Sequence, residues 1–421
     1  MIQKVLHRYR ELFIYSGIAI LIGVVVGSLM GVFGNLLYAI RTFRDLYILY
    51  LLPFLPLAGY LIIWLYEKFS YESINGLSIV FKTGLGERNK IPKLLVPLIF
   101  IATLLTNFFG ASAGREGAAV QIGSSTGYAI GQRFKLAPDK SMFVIIGLAA
   151  GFAGLFRTPL GATFFALEVM ISGIMMYEAL VPTLLSAYVA YFISGLFGLQ
   201  RMRFSINKNL DPNYILNLDW TFILKLFLLA LIFGIVGILF SHSLRFFKQK
   251  LKYFFPNPKK KMLYMSIFLA FSIFVLHAGR YAGAGDNLLY EVYHHGTIYW
   301  YDWLFKLLLT ALTLAIGFHG GEVVPLFSIG SALGYVIAPL IGLPPSFVAA
   351  LGLVAVFSSA TNTMIAPILL AVEVFGPEYS MYFMIICCLA YAFHSHRSIY
   401  SAQERYHFFP DKIYTKDEYS E

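Results

Sequence analysis

Long apolar runs separated by short polar breaks fill the chain. They fall at 12–40, 46–66, 93–110, 116–132, 142–156, 158–173, 177–198, 219–247, 262–278, 302–318, 322–341, 346–357, 364–375 and 380–394. Runs of this kind predict helices that are apolar on most faces, the condition of helices inside a bilayer. Several are shorter than the roughly 20 residues needed to cross the hydrocarbon core. Others are interrupted at Pro159, Gly161, Pro325 and Pro367. Short or broken helices at membrane depth persist only where protein or a cavity surrounds them, and in transporters they point to the binding site. A polar stretch carrying Asn207, Asn209, Asp211, Pro212 and Asn213 divides the pattern. The expected organisation is therefore a first transmembrane repeat over 1–203, a linker over 204–218, a second repeat over 219–396, and a final helix with a short charged tail over 397–421.

The word repeat rests on three matches at nearly one offset. Ile122-Gly123-Ser124-Ser125-Thr126-Gly127-Tyr128 recurs as Ile329-Gly330-Ser331-Ala332-Leu333-Gly334-Tyr335. Gly147-Leu148-Ala149-Ala150-Gly151-Phe152 recurs as Gly352-Leu353-Val354-Ala355-Val356-Phe357, and Leu167-Glu168-Val169-Met170 as Val372-Glu373-Val374-Phe375. Three ordered matches imply an internal duplication. Spacing alone leaves open whether the halves are inverted.

Just before the first repeated segment stands Gly114-Arg115-Glu116-Gly117-Ala118-Ala119-Val120. The run ahead of it, 94–109, is almost wholly apolar, which places an Arg and a Glu at membrane depth. Charges there are costly and usually mark an ion path or a proton relay. Gly114 permits a sharp turn. The residues beyond it read as a helix start, whose free N–H groups and positive dipole end attract an anion. Its counterpart in the second half is Gly320-Gly321-Glu322-Val323-Val324-Pro325, a glycine-led start that also carries a carboxylate. Two such starts meeting near the midplane would form one anion site from both halves.

Composition agrees. The 421 residues are 58% hydrophobic and 13% charged, with a mean hydropathy of +0.72, outside the range of soluble domains. The net charge of +10 does not read as nucleic-acid binding. Arg245, Lys248, Lys250, Lys252, Lys259, Lys260 and Lys261 crowd what reads as one loop between apolar runs, the mark of a cytoplasmic membrane loop. Lys4, Arg8 and Arg10 put the N-terminus on that side, and Arg397, Arg405, Lys412 and Lys416 do so for the C-terminus. No cleavable leader is expected, because the first apolar run is too long for one. Cys387 and Cys388 read as small core residues. No metal or other cofactor is implied.

Taken together, Gly114-Arg115-Glu116-Gly117 with Val120 resembles the G-R-E-G-x-x-V motif of the CLC chloride channels and anion/proton antiporters. Gly321-Glu322-Val323-Val324-Pro325 stands at that family's second anion motif, Asn75-Gly76-Leu77-Ser78 at its G-S-G-I-P, and Tyr400 at the tyrosine that closes the inner side of the ion path. The resemblance covers about 12–409. It implies an all-α polytopic membrane protein of CLC architecture: two inverted helical repeats, broken helices at the midplane, an ion path in each subunit, and a homodimer in a bacterial-type cytoplasmic membrane with both termini inside. Three departures are informative. Asn75 replaces the usual serine ligand, Val169 stands where chloride/proton antiporters carry their internal proton acceptor, and Glu322 replaces an apolar residue. This combination resembles the bacterial fluoride/proton antiporter clade, although Val324 departs from a threonine found in some members.

The resemblance accordingly implies fluoride export in exchange for inward protons. Glu116 would gate and carry the proton, and Glu322 would serve proton coupling. The anion would be held by backbone N–H groups at Arg115, Gly117, Val323 and Val324, and by the side chains of Asn75 and Tyr400. A chloride/proton antiporter or passive chloride channel is the alternative, and a non-transporting membrane scaffold the alternative of another class. Each residue also has a plainer reading: a packing salt bridge for Glu116, a helix-end hydrogen bond for Glu322, a cap for Asn75, core packing for Tyr400 and Phe81. Glu168 and Glu373, at equivalent repeat positions, read as structural, and Asp286 as part of a solvated loop or helix break.

Overall fold

The computed structural model describes residues 2–134, 141–206, 220–294, 296–393 and 398–406. Within the expected linker, 207–218 lies outside the described residues, as do 397 and 407–421 of the closing segment. The first half contributes α1 (Ile2–Leu51), α2 (Leu55–Phe69), α3 (Gly76–Gly84), α4 (Leu95–Phe108), α5 (Glu116–Gly131), α6 (Ser141–Phe156), α7 (Pro159–Glu168) and α8 (Leu180–Leu196). The second contributes α9 (Trp220–Phe254), α10 (Pro258–Val275), α11 (Asp286–Tyr293), α12 (Asp302–Ile316), α13 (Val323–Ile337), α14 (Pro345–Thr361), α15 (Ile365–Phe375) and α16 (Ser380–Ala392). Among the described residues, four helical stretches are long and apolar enough to cross a membrane, while α4, α6, α14 and α15 are apolar but short. The fold is all-α, with the broken helices buried at the centre.

The duplicated segments are the helix crossings that build this centre. α5 packs on α6 as α13 packs on α14. At the first crossing Gly123 lies against the backbone of Gly147 and Gly151, and at the second Gly330 lies against Gly352. A Cβ at any of these glycines would overlap the facing backbone. Small residues at such crossings allow the close approach on which helix association in lipid depends.

Two more repeated residues close the halves on each other. The Glu168 carboxylate, at the end of α7, accepts hydrogen bonds from the backbone N–H groups of Met364, Ile365 and Ala366 at 2.5–3.2 Å, the start of α15. Glu373, near the end of α15, accepts from Leu160 at 3.0 Å and Gly161 at 2.9 Å, the start of α7. Each carboxylate thus caps the other half's helix, where free N–H groups and the dipole both favour negative charge.

Several sequence expectations change. The basic cluster is not a loop. Arg245 to Lys252 occupy the last turns of α9, and Lys259 to Lys261 the first turn of α10, capped by Asn257, which accepts from Lys259 N–H at 2.9 Å. Cations favour a helix C-terminus, so α9 continues beyond its apolar run. Asp286 is not in a solvated loop. It opens α11 with its side chain 17% exposed and lies 3.6 Å from Arg41, a counter-charge on α1 that no local pattern reveals. Residues 398–406, expected in a final helix, are turn and strand. β2 (Glu404–Arg405) pairs in parallel with β1 (Ile171–Ser172), and Ser398 hydrogen-bonds the backbone at Tyr400, so side-chain and strand pairing replace helical bonds there.

Candidate functional site

The two glycine-led starts meet directly. Gly114 N–H donates to Gly321 O at 2.7 Å and Gly321 N–H to Gly114 O at 3.0 Å, an isolated antiparallel bridge. From this bridge α5 and α13 diverge, each presenting its unsatisfied N-terminal N–H groups. Arg115 and Glu322 are the N-cap residues, and Glu116 is the first residue of α5. Glu116 is buried, and neither carboxylate oxygen has a hydrogen-bond partner among the described residues. The backbone N–H groups of Arg115 and Glu116 stand beside it without reaching hydrogen-bond geometry. The carboxylate lies over the bridge, in space that a Cβ on Gly114 or Gly321 would occupy. At Gly321 a Cβ would also meet the backbone nitrogens of Glu116 and Gly117 at 2.6 and 2.7 Å, so glycine is required there, whereas at Gly114 only the Glu116 side chain stands in the way.

A small cavity adjoins Glu116. Its wall is formed by Glu116, Gly117, Val120, Val169, Val323 and Tyr400, with Leu77, Phe81, Leu148 and Phe165. The Tyr400 ring packs on Phe81 with centroids 5.1 Å apart and on Phe165 at 6.3 Å. Ser398 Oγ accepts from Tyr400 N–H at 3.1 Å, and Ile399 N–H donates to Ala360 O at 3.0 Å. Gln403 donates to Val169 O and Thr361 O, both at 2.9 Å. The closing segment is thus fastened against the cavity from both halves, and Phe81 both lines this cavity and packs on Tyr400.

The expected site residues are not all gathered at this cavity. Glu116, Gly117, Val323 and Tyr400 line it; Asn75, Arg115, Val324 and Glu322 do not. Asn75 is exposed at the head of α3 and makes no capping hydrogen bond, so the plain capping role is not realised. Glu322 is 8% exposed and does not cap its own helix either. Lys248 and Glu116 are the charged groups that act on it. Two further groups stand close by. His319 stacks on Tyr66 with centroids 4.5 Å apart, and its buried Nδ1 has no hydrogen-bond partner among the described residues. Lys306, fully buried on α12, reaches the segment that leads into Gly114. Its signal in the sequence is plain in retrospect: it is a lone lysine inside the apolar run 302–318.

A family model described as "Voltage gated chloride channel" matches residues 58–395. The chain belongs to the voltage-gated chloride channel family, CLC. It is 33% identical over 356 residues to a "Chloride/fluoride channel protein" from Pseudomonas syringae pv. tomato, covering 83% of this chain and 77% of that protein. Among solved CLC structures, "a CLC-type fluoride/proton antiporter" superposes with a TM-score of 0.91 at 42% identity, covering 94% of this chain and 99% of that one. A "slow cyanobacterial Cl-/H+ antiporter" superposes with a TM-score of 0.79 at 18% identity, covering 92% and 96%, a likeness of fold. The CLC chain described here is thus a multi-pass membrane protein of a transporter and channel family, and the bridge at Gly114 and Gly321 joins two of the motifs that carried the resemblance.

Proposed function

We propose that this CLC protein is a fluoride/proton antiporter that expels fluoride as protons enter. The observation that carries the reading is the Glu116 carboxylate: buried, without a hydrogen-bond partner among the described residues, lying on the seam of the two helix starts beside the cavity. A carboxylate in that position competes with an anion when ionised and yields to it when protonated, so the two exchanges meet at one point. In this reading the anion is held by backbone N–H groups at Arg115 to Gly117 and at Val323 and Val324. Asn75 and the Tyr400 hydroxyl meet it farther in, and Glu322 takes part in proton transfer. Fluoride as the substrate is supported by the apolar Val169 on the cavity wall, by Glu322 at the second start, and by the likeness to a fluoride/proton antiporter. Fluoride is the base of a weak acid. Neutral acid entering a cell releases fluoride inside, and an inward proton gradient that drives it out is protective. The protein would act as a homodimer in the bacterial inner membrane with both termini cytoplasmic.

Chloride/proton exchange is the second reading. The exposure of Asn75, away from the cavity wall, favours it, because one fluoride-associated donor is then missing from the wall. Purified protein in liposomes, with fluoride and chloride efflux followed by ion-selective electrodes, separates the two. Fluoride should leave much faster than chloride, with proton uptake in step. Equal or faster chloride efflux would overturn the fluoride assignment.

A further inference from the structure

The end of α9 and the start of α10 form a corner rich in cations, with little to balance them. No Asp or Glu stands between Asp219 and Asp286, yet seven Lys and Arg residues fall within 245–261. α9 has 35 residues and is therefore about 52 Å long. The hydrocarbon core of a bilayer is roughly 30 Å thick, so the last turns of α9 stand beyond it even when the helix is tilted. From Lys250 to Phe254 only Leu251 is buried.

Some of these cations are engaged within the protein. Lys259 is 2.8 Å from Glu67 on α2, Lys261 donates to Ala315 O at 3.3 Å, and Lys248 acts on Glu322. The Lys259–Glu67 pair also brings the end of α2, with Lys68, to the same corner. Lys68, Lys250, Lys252 and Lys260 are exposed, and among the described residues no carboxylate stands within ion-pairing distance of them. Elsewhere the cations at helix ends are matched: Arg280 lies 2.7 Å from Asp302, and Arg44 lies 2.7 Å from Asp45. The aromatic side chains of the corner are open too. Tyr253 is 78% and Phe254 66% exposed, and Lys68 lies over the rings of Trp64 and Phe69 at 4.7 and 5.6 Å. Lysines interleaved with exposed aromatic rings suit the headgroup layer, where the rings meet the acyl boundary and the ammonium groups meet phosphate.

We propose that this corner binds an anionic phospholipid, with Lys250, Lys252 and Lys260 serving its phosphate and its acyl chains lying against the exposed rings. Charge complementarity selects an anionic headgroup over a zwitterionic one. The open Phe and Tyr side chains select a lipid over a soluble phosphate, which would leave them in water. The inference is independent of the exchange reading and adds a partner in the leaflet that meets the basic cluster.

The test is native mass spectrometry of the full-length protein in mild detergent, supplied with phosphatidylglycerol or with phosphatidylcholine of the same acyl chains. The parent should retain phosphatidylglycerol in clear preference. Lys250→Gln, Lys252→Gln and Lys260→Gln combined should weaken that preference by on the order of tenfold or more, because one lysine near an anionic surface is worth roughly fivefold in affinity. The three Lys→Arg changes combined should keep it. All three side chains are exposed, so both variants should unfold at the parental temperature. Equal retention of the two lipids by the parent, an undiminished preference in the glutamine variant, or its loss in the arginine variant would overturn the site. Glycerophosphoglycerol, the same headgroup without acyl chains, should not displace the lipid at equal concentration. Displacement would assign the corner to a soluble phosphate and overturn the lipid as its occupant.

Discussion

Glu116 and Glu322 flank the same bridge but differ in register by one residue. Glu116 stands two positions after Gly114 and folds back over the bridge; Glu322 stands one position after Gly321, at the N-cap. In the proposed exchange the first is the group that would share space with an anion, and the second would pass charge without occupying the site. Glu116→Gln keeps the shape and removes the titration. In vesicles with a fluoride gradient it should abolish proton uptake, and undiminished uptake would remove Glu116 as the carrier. Glu322→Gln should fold normally and lose exchange by on the order of tenfold or more, as positioned proton-transfer groups do when neutralised. Exchange at the parental rate and ratio would make Glu322 structural and leave the proton to water or to Glu116 alone. Both carboxylates were legible in the sequence because a charge at a glycine-led helix start in an apolar chain has few structural explanations. The exposure of Asn75 was not legible, since it depends on how the head of α3 sits against Gln121 and Leu95.

At the level of elements, the crossed caps of α7 and α15 answer what Glu168 and Glu373 do. Their equivalent repeat positions anticipated a shared structural role, and the shared role is to cap the start of each other's helix. Glu168→Gln replaces a carboxylate facing three N–H donors with an amide that has one acceptor and donors of its own. It should destabilise the protein by about 2 kcal/mol, the worth of a lost charge-assisted bond to buried donors. That would be read as a lower thermal unfolding midpoint, with flux per folded molecule retained. An unchanged midpoint would mean that the cap contributes nothing. Apolar periodicity announced most of the helices but passed over α3 and α11, which are short and amphipathic. It also set the end of α9 too early, because it follows hydropathy, whereas the helix continues through the lysines that its dipole favours. The pairing of β1 with β2 left no trace in the pattern: two residues on each side, 404 and 405 against 171 and 172, are too few for alternation to register.

For the molecule as a whole, the duplicated sequence, the glycine crossings and the bridge describe two halves that share one core. Large apolar side chains remain at the surface, Trp220 at 85% and Leu196 at 69% exposure among them, as lipid or a partner subunit requires. Native mass measurement in a mild detergent should give twice the chain mass, with transport retained per chain. A transporting monomer would remove the need for a dimer. The bridge itself limits how such a molecule can work. Gly114 and Gly321, both buried, are stitched by two main-chain bonds at the point where the proposed exchange takes place, and buried main-chain groups are costly to leave unpaired. Swinging one half away from the other would tear that seam at each turnover. Motion confined to side chains leaves it intact. The moving part is then a latch a few atoms long set in a stationary wall, and a crosslink joining the two halves near the seam should leave the rate of exchange unchanged.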